Sequence, residues 1–124
     1  MNKTTRILIF ILAAFILIGG INHCIKPEIY NPFIPDFLPK ITVNYITGIT
    51  EIALAIGLFS SKYRKVVALG ILIIMIAFLP IHFLDIFKEN PAIGSKTLAY
   101  IRLPLQFVLI YWSWWVKNNI TKLK

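Results

Sequence analysis

The sequence predicts an all-α integral membrane protein, a bundle of four helices with both termini in the cytoplasm. Three observations lead there. With 58% hydrophobic and 15% charged residues and a mean hydropathy of +0.78, the chain is more apolar than an ordinary soluble domain. Its apolar residues fall into four runs, each long enough to cross a bilayer as a helix. Its basic residues concentrate in alternate connections between those runs, as cytoplasmic loops require. The 124 residues make one domain, residues 1–124, and the bilayer is its first partner. A net charge of +8 would suit a nucleic-acid partner only if the basic residues clustered on a soluble face; here they occupy spacers, so nucleic acid is not expected.

The first helix is expected over about residues 7–24, from Ile7 to Cys24, roughly 27 Å of uncharged chain. Lys3 and Arg6 before it give the layout of a secretory signal, but no small-x-small cleavage site follows, so we read a retained helix. Gly19 and Gly20 near its far end allow another backbone to come close, and Asn22 and His23 follow. The single cysteine, Cys24, excludes an internal disulfide; His23 before it argues against lipid attachment there.

Residues 25–44 hold Pro27, Pro32, Pro35 and Pro39, which exclude one continuous helix. Ile29, Tyr30, Phe33, Ile34, Phe37 and Leu38 are too apolar for a solvated linker. A kinked cap on the outer membrane surface is expected. The second helix, about 41–61, carries one carboxylate, Glu51, in an otherwise lipid-compatible stretch; Thr47, Gly48, Glu51 and Ala55 share one face, mostly small.

Lys62, Arg64 and Lys65 make a basic turn into the third helix, about 66–87, with Pro80, His82 and Asp85 in its last two turns. The fourth, about 98–116, begins with Arg102, Pro104 and Gln106 and ends in Tyr111-Trp112-Ser113-Trp114-Trp115 beside Lys117, an aromatic and basic signature of a membrane–water interface. Lys3, Arg6, Lys62, Arg64, Lys65, Lys117, Lys122 and Lys124 lie on one side with no acid; every acidic residue lies on the other. That asymmetry places both termini in the cytoplasm. The sequons at Asn2 and Asn119 then fall on the wrong side for glycosylation and are read as chance matches.

This topology gathers the polar residues in the outer half. Taken as about six residues in from the outer membrane surface, Glu51 lies roughly 9 Å deep, and Arg102 and Gln106 lie about 6 and 12 Å along their helix. The expected cluster is Glu51, Arg102, Gln106, His82, Asp85, His23 and Asn22, with Glu51 paired to Arg102, because an isolated charge at that depth costs several kcal/mol. The same pair could serve only to fix helix register. Two histidines and scattered carboxylates could bind a metal, but their spacing does not demand one and no metal is expected; no phosphate loop or nucleophile elbow is present.

Gly20-Ile21-Asn22-His23, Pro27, Tyr30, Pro35, Leu38-Pro39, Thr47-Gly48, Glu51-Ile52, Gly57-Leu58, Leu79-Pro80 and Arg102-Leu103-Pro104-Leu105-Gln106 resemble the DoxX-like membrane proteins. The resemblance implies four spans in a bacterial cytoplasmic (inner) membrane. It also points to a redox-associated accessory subunit, with a quinone as the cofactor and another membrane protein or redox subunit as the partner; it transfers no catalytic set. Two alternatives stand beside it: an assembly or scaffold protein held together by the polar cluster, and a small-solute or lipid transporter. Whether the chain is an enzyme stays open at this point.

Overall fold

The computed structural model describes residues 3–122, with side chains to residue 120. Asn2 and Lys124, used above for a sequon and for the charge count, lie outside the described residues, as does the side chain of Lys122. The described chain is all-α: α1 (Lys3–Ile25), two short 3-10 turns (Pro27–Ile29 and Asn31–Phe33), α2 (Lys40–Gly57), α3 (Arg64–Asp85) and α4 (Lys96–Lys122). No strand occurs among the described residues.

The helices overrun or fall short of the apolar runs for physical reasons. α1 begins at Lys3 and α4 continues past Val116, because polar residues outside a hydrophobic stretch can still continue backbone hydrogen bonding. α2 stops at Gly57 rather than near Ser61, and the Arg64 Nε–H donates to the Leu58 carbonyl at 2.7 Å, satisfying one of the acceptors a helix end leaves open. Pro80 and Pro104 are both accommodated inside helices. In the cap, Pro27 and Pro32 each sit in the first turn of a 3-10 segment, where a missing N–H costs nothing. The cap therefore folds as a series of tight turns, closed by Tyr30 N–H to Pro27 O at 2.9 Å and Ile34 N–H to Asn31 O at 3.1 Å.

α1 packs along α2 and α3 along α4, while the contacts between these two pairs are sparse. Each helix buries one narrow stripe at helical spacing: Ile9, Leu12, Ala13, Ile16 and Gly20 on α1, Asn44, Gly48, Glu51 and Ala55 on α2, Ala68, Ile71 and Met75 on α3, and Gln106, Leu109, Ser113 and Val116 on α4. The remaining faces are apolar yet exposed, with Ile11, Ile18, Ile49, Ile56, Ile73 and Val108 among them.

α1 and α3 are long and apolar enough to cross a membrane. Among the described residues α2 and α4 do not reach the same threshold, since Lys40, Asn44, Thr47 and Glu51 dilute one and Lys96, Arg102 and Gln106 the other. The aromatic end of α4 also divides: Trp114 is 48% exposed, whereas Trp112 and Trp115 are partly buried against the core, so only the first has the exposure expected of an anchor.

Candidate functional site

The site begins where α1 and α2 cross. A Cβ on Gly48 would stand 2.7 Å from the Gly20 carbonyl oxygen, and one on Gly20 would stand 2.8 Å from the Gly48 carbonyl oxygen. Only residues without side chains permit that approach. At the adjacent Gly19 a Cβ would meet Glu51 Oε2 at 2.9 Å. The glycines thus make room for the carboxylate against the α1 backbone.

Glu51 is only 5% exposed, and its carboxylate makes no hydrogen bond with the described residues. Its nearest cationic candidate is His23, with Nε2 3.8 Å from Oε1, beyond hydrogen-bond length. The other imidazole nitrogen is engaged: Nδ1 lies 2.9 Å from Asn44 Oδ1, and Asn44 Nδ2 donates to Asn31 Oδ1 at 2.8 Å. Because the Asn44 amide nitrogen is committed to Asn31, its oxygen is the acceptor, and the proton of that first bond belongs to His23 Nδ1. In the neutral imidazole this leaves a lone pair on Nε2, facing Glu51.

Tyr30, from the cap, stacks on the His23 ring at 3.6 Å between centroids, and its hydroxyl hydrogen-bonds the Asn22 side chain and reaches the Gly19 carbonyl at 3.5 Å. Burial raises the Tyr30 pKa above its ordinary value and the Glu51 charge adds to the rise, while Asn22 opposes it. The phenol therefore remains a proton donor near neutral pH. Asn44, Asn31 and Tyr30 were not foreseen as partners. Asn44 could have been, since it lies two turns before Glu51 on the same buried stripe; Asn31 and Tyr30 are placed only by the folding of the cap.

A cavity of about 530 Å³ opens in front of this cluster, between the two helix pairs. Phe15, Ile16, Phe78, Ile81 and Leu109 make it mostly apolar. Glu51, His23 and Tyr30 supply polar groups from one wall; His82 and Arg102 supply them from the other. The His82 ring is edge-on to Phe33 of the cap, centroids 5.5 Å apart. Arg102 contributes a buried Nη1 with no hydrogen-bond acceptor.

Three sequence expectations are corrected here. Glu51 and Arg102 line the same cavity, but no ion pair joins them among the described residues, because they belong to different helix pairs and the cavity separates them. Asp85 turns away from the cavity: it is 1% exposed, accepts the backbone N–H groups of Ala92 at 2.6 Å and Ile93 at 3.3 Å, and has Lys88 Nζ at 3.7 Å. It holds the α3–α4 connection closed. Gln106 is fully buried between α3 and α4, where its Nε2 donates to the Met75 carbonyl at 2.6 Å and its Oε1 has no partner. Asn22, His23, Glu51, His82 and Arg102 are the expected residues that the fold brings to the cavity. Among the described residues no group of His, Cys, Asp and Glu is placed to hold a metal ion.

A family model described as a domain of unknown function, DUF8561, matches residues 12–117, most of every helix. The chain belongs to that family. The finding overturns the DoxX-like resemblance; of the short pieces that carried it, the glycine of Thr-Gly-x-x-Glu is required by the α1–α2 crossing of this DUF8561 chain, where a Cβ on Gly48 would meet the Gly20 carbonyl oxygen. No curated protein and no solved structure matches the chain.

Proposed function

We propose that this DUF8561 protein is a multi-pass membrane protein that binds a small amphipathic molecule in the cavity between its two helix pairs. One observation carries the reading: an apolar cavity of about 530 Å³ meets a buried carboxylate without a hydrogen bond and a buried guanidinium nitrogen without an acceptor. That volume is in the range of small-molecule sites, and such sites combine apolar walls with a few convergent polar groups. Leaving two opposite charges short of partners inside an apolar bundle is costly, and a ligand that supplies them recovers that cost.

Membrane residence is supported by the two spanning-length helices and by the apolar outer faces of all four. In this reading α2 and α4 cross as well, their polar residues turned toward the interior, and the basic residues Lys3, Arg6, Lys62, Arg64, Lys65 and Lys117 hold the termini and the α2–α3 turn in the cytoplasm. The cavity then opens in the outer half. The inner-membrane and quinone-linked assignments came with the DoxX-like resemblance and are not carried further. Transport draws no support from Ser113, whose hydroxyl donates to its own helix at Leu109 O, 2.8 Å away.

Val43, half-buried at the cavity wall, offers the test. Protein purified in mild detergent should release a small amphiphile on organic extraction, detected by mass spectrometry, and Val43→Trp should lose it while retaining its thermal unfolding transition. Wild-type protein that carries no extractable amphiphile, and gains no stability from any added amphiphile, would overturn the reading.

A further inference from the structure

The charges at the cavity say more than that something amphipathic binds. Glu51 and Arg102 stand on different walls, and with both imidazoles neutral and Glu51 ionised the lining carries one negative and one positive charge. A fatty acid could satisfy Arg102 but would leave Glu51 facing a second anion. A long-chain amine could satisfy Glu51 but would leave Arg102 without an acceptor. An uncharged hydrocarbon would leave both unmatched, at the cost that attaches to buried, unpaired charge.

The acidic wall also distinguishes among cations. Glu51 Oε1 and His23 Nε2 are 3.8 Å apart, and the bond from His23 Nδ1 to Asn44 leaves Nε2 as an acceptor in the neutral ring. Two acceptors at that separation can both receive N–H bonds of ordinary length from one nitrogen placed between them. A primary ammonium has three such hydrogens; a quaternary ammonium has none. On the other wall the buried Arg102 Nη1 needs an oxyanion, and a guanidinium matches phosphate geometry well.

We propose that the cavity selects a zwitterionic amphiphile whose head carries a primary ammonium and a phosphate, the ammonium between Glu51 and His23, the phosphate on Arg102, and the chain along Phe15, Phe78 and Ile81. The proposal rests on the cavity-binding reading above and gives it a head group.

The test compares lysophospholipids of one chain length that differ only in the head: ethanolamine, choline and glycerol. Each is titrated into delipidated protein in detergent, and binding is read by native mass spectrometry. The ethanolamine lipid should bind at least about tenfold more tightly than either of the others, as expected for a charge-assisted hydrogen bond to a buried carboxylate. Glu51→Gln should abolish its advantage over the choline lipid. Arg102→Gln should weaken both. Selectivity within the wild-type protein decides the matter even where a variant fails to fold.

Equal binding of the three lipids, lost in Val43→Trp, would overturn the head-group assignment while leaving the cavity as a ligand site. Binding of none, with no extractable amphiphile, would overturn both. Competition by free phosphoethanolamine as strong as that by the intact lipid would show that the apolar wall contributes nothing, which also contradicts the proposal.

Discussion

The two helix pairs are built on different principles. α1 and α2 meet through backbone, at Gly20 and Gly48, are linked directly by the bond from His23 to Asn44, and are tied to the cap by the bond from Asn44 to Asn31. α3 and α4 meet through side chains, with Ala68, Ile71 and Met75 in the same buried cluster as Leu109, Val116 and Ile120, one cross-helix bond from Gln106 to the Met75 carbonyl, and Asp85 closing the connection. Close backbone approach leaves no slack for an added methyl, whereas a side-chain interface can shift rotamers to absorb one. The tight pair carries the carboxylate and the looser pair the guanidinium, so the cavity joins a rigid wall to a more adaptable one.

The sharpest way to break this contrast is a single methyl. Gly48→Ala should destabilise the protein by about 1–3 kcal/mol, since its Cβ meets the Gly20 carbonyl oxygen at 2.7 Å and Cys24 Sγ at 2.8 Å. Gly70 on α3 lies outside the α1–α2 crossing and faces the other pair, where a Cβ would meet only the flexible end of Leu54 of α2 at 3.1 Å, so Gly70→Ala should cost less than about 1 kcal/mol. Thermal unfolding of both variants in one detergent measures the difference; equal losses would mean that the glycine crossing does not set the stiffness of the first pair.

The next effect belongs to the cap. Asn44→Ala strands His23 Nδ1–H and Asn31 Oδ1 together and should cost about 1–3 kcal/mol. It should also speed proteolysis of residues 26–39, whose hold on α2 through Asn31 is then lost. An unchanged cleavage rate would show that the 3-10 turns hold the cap without the asparagines.

In the second pair, Asp85→Ala should open the α3–α4 connection rather than the bundle. Hydrogen exchange at Ala92 and Ile93 should rise by about tenfold or more, with a smaller fall in global stability of about 1 kcal/mol. A uniform rise across α3 and α4 would instead make Asp85 part of their shared core.

Gln106→Leu should have the smallest effect, within about 1 kcal/mol of wild type in either direction. It removes the 2.6 Å bond to the Met75 carbonyl but also the unpartnered buried Oε1, and the two changes oppose each other. A loss much above that range would mean that this bond organises the α3–α4 pair.

Much of the architecture was legible because it depends on local pattern. The apolar runs located four helices, the prolines predicted a broken cap, and Gly20 and Gly48 signalled close approach. Their partners across the fold were less legible. Opposite charge suggested Glu51 with Arg102, but charge alone does not say which helices touch; sparse contact between the pairs keeps the two apart. Asp85 looked like part of a polar cluster because it shares a helix face with His82, yet the chain doubles back at residues 86–95 and presents two N–H groups to it first. The DoxX-like reading failed in a similar way, since short motifs that pack glycines beside a carboxylate can arise wherever two helices cross closely.

By itself the sequence determined the helical content and the apolar faces, because each follows from hydropathy and spacing along one chain. The tertiary structure alone decided that Glu51 answers to His23 and that Arg102 keeps a free donor. It also decided that a cavity, rather than a salt bridge, lies between their helices. Those outcomes depend on how two helix pairs leave space when each packs more closely within itself than against the other.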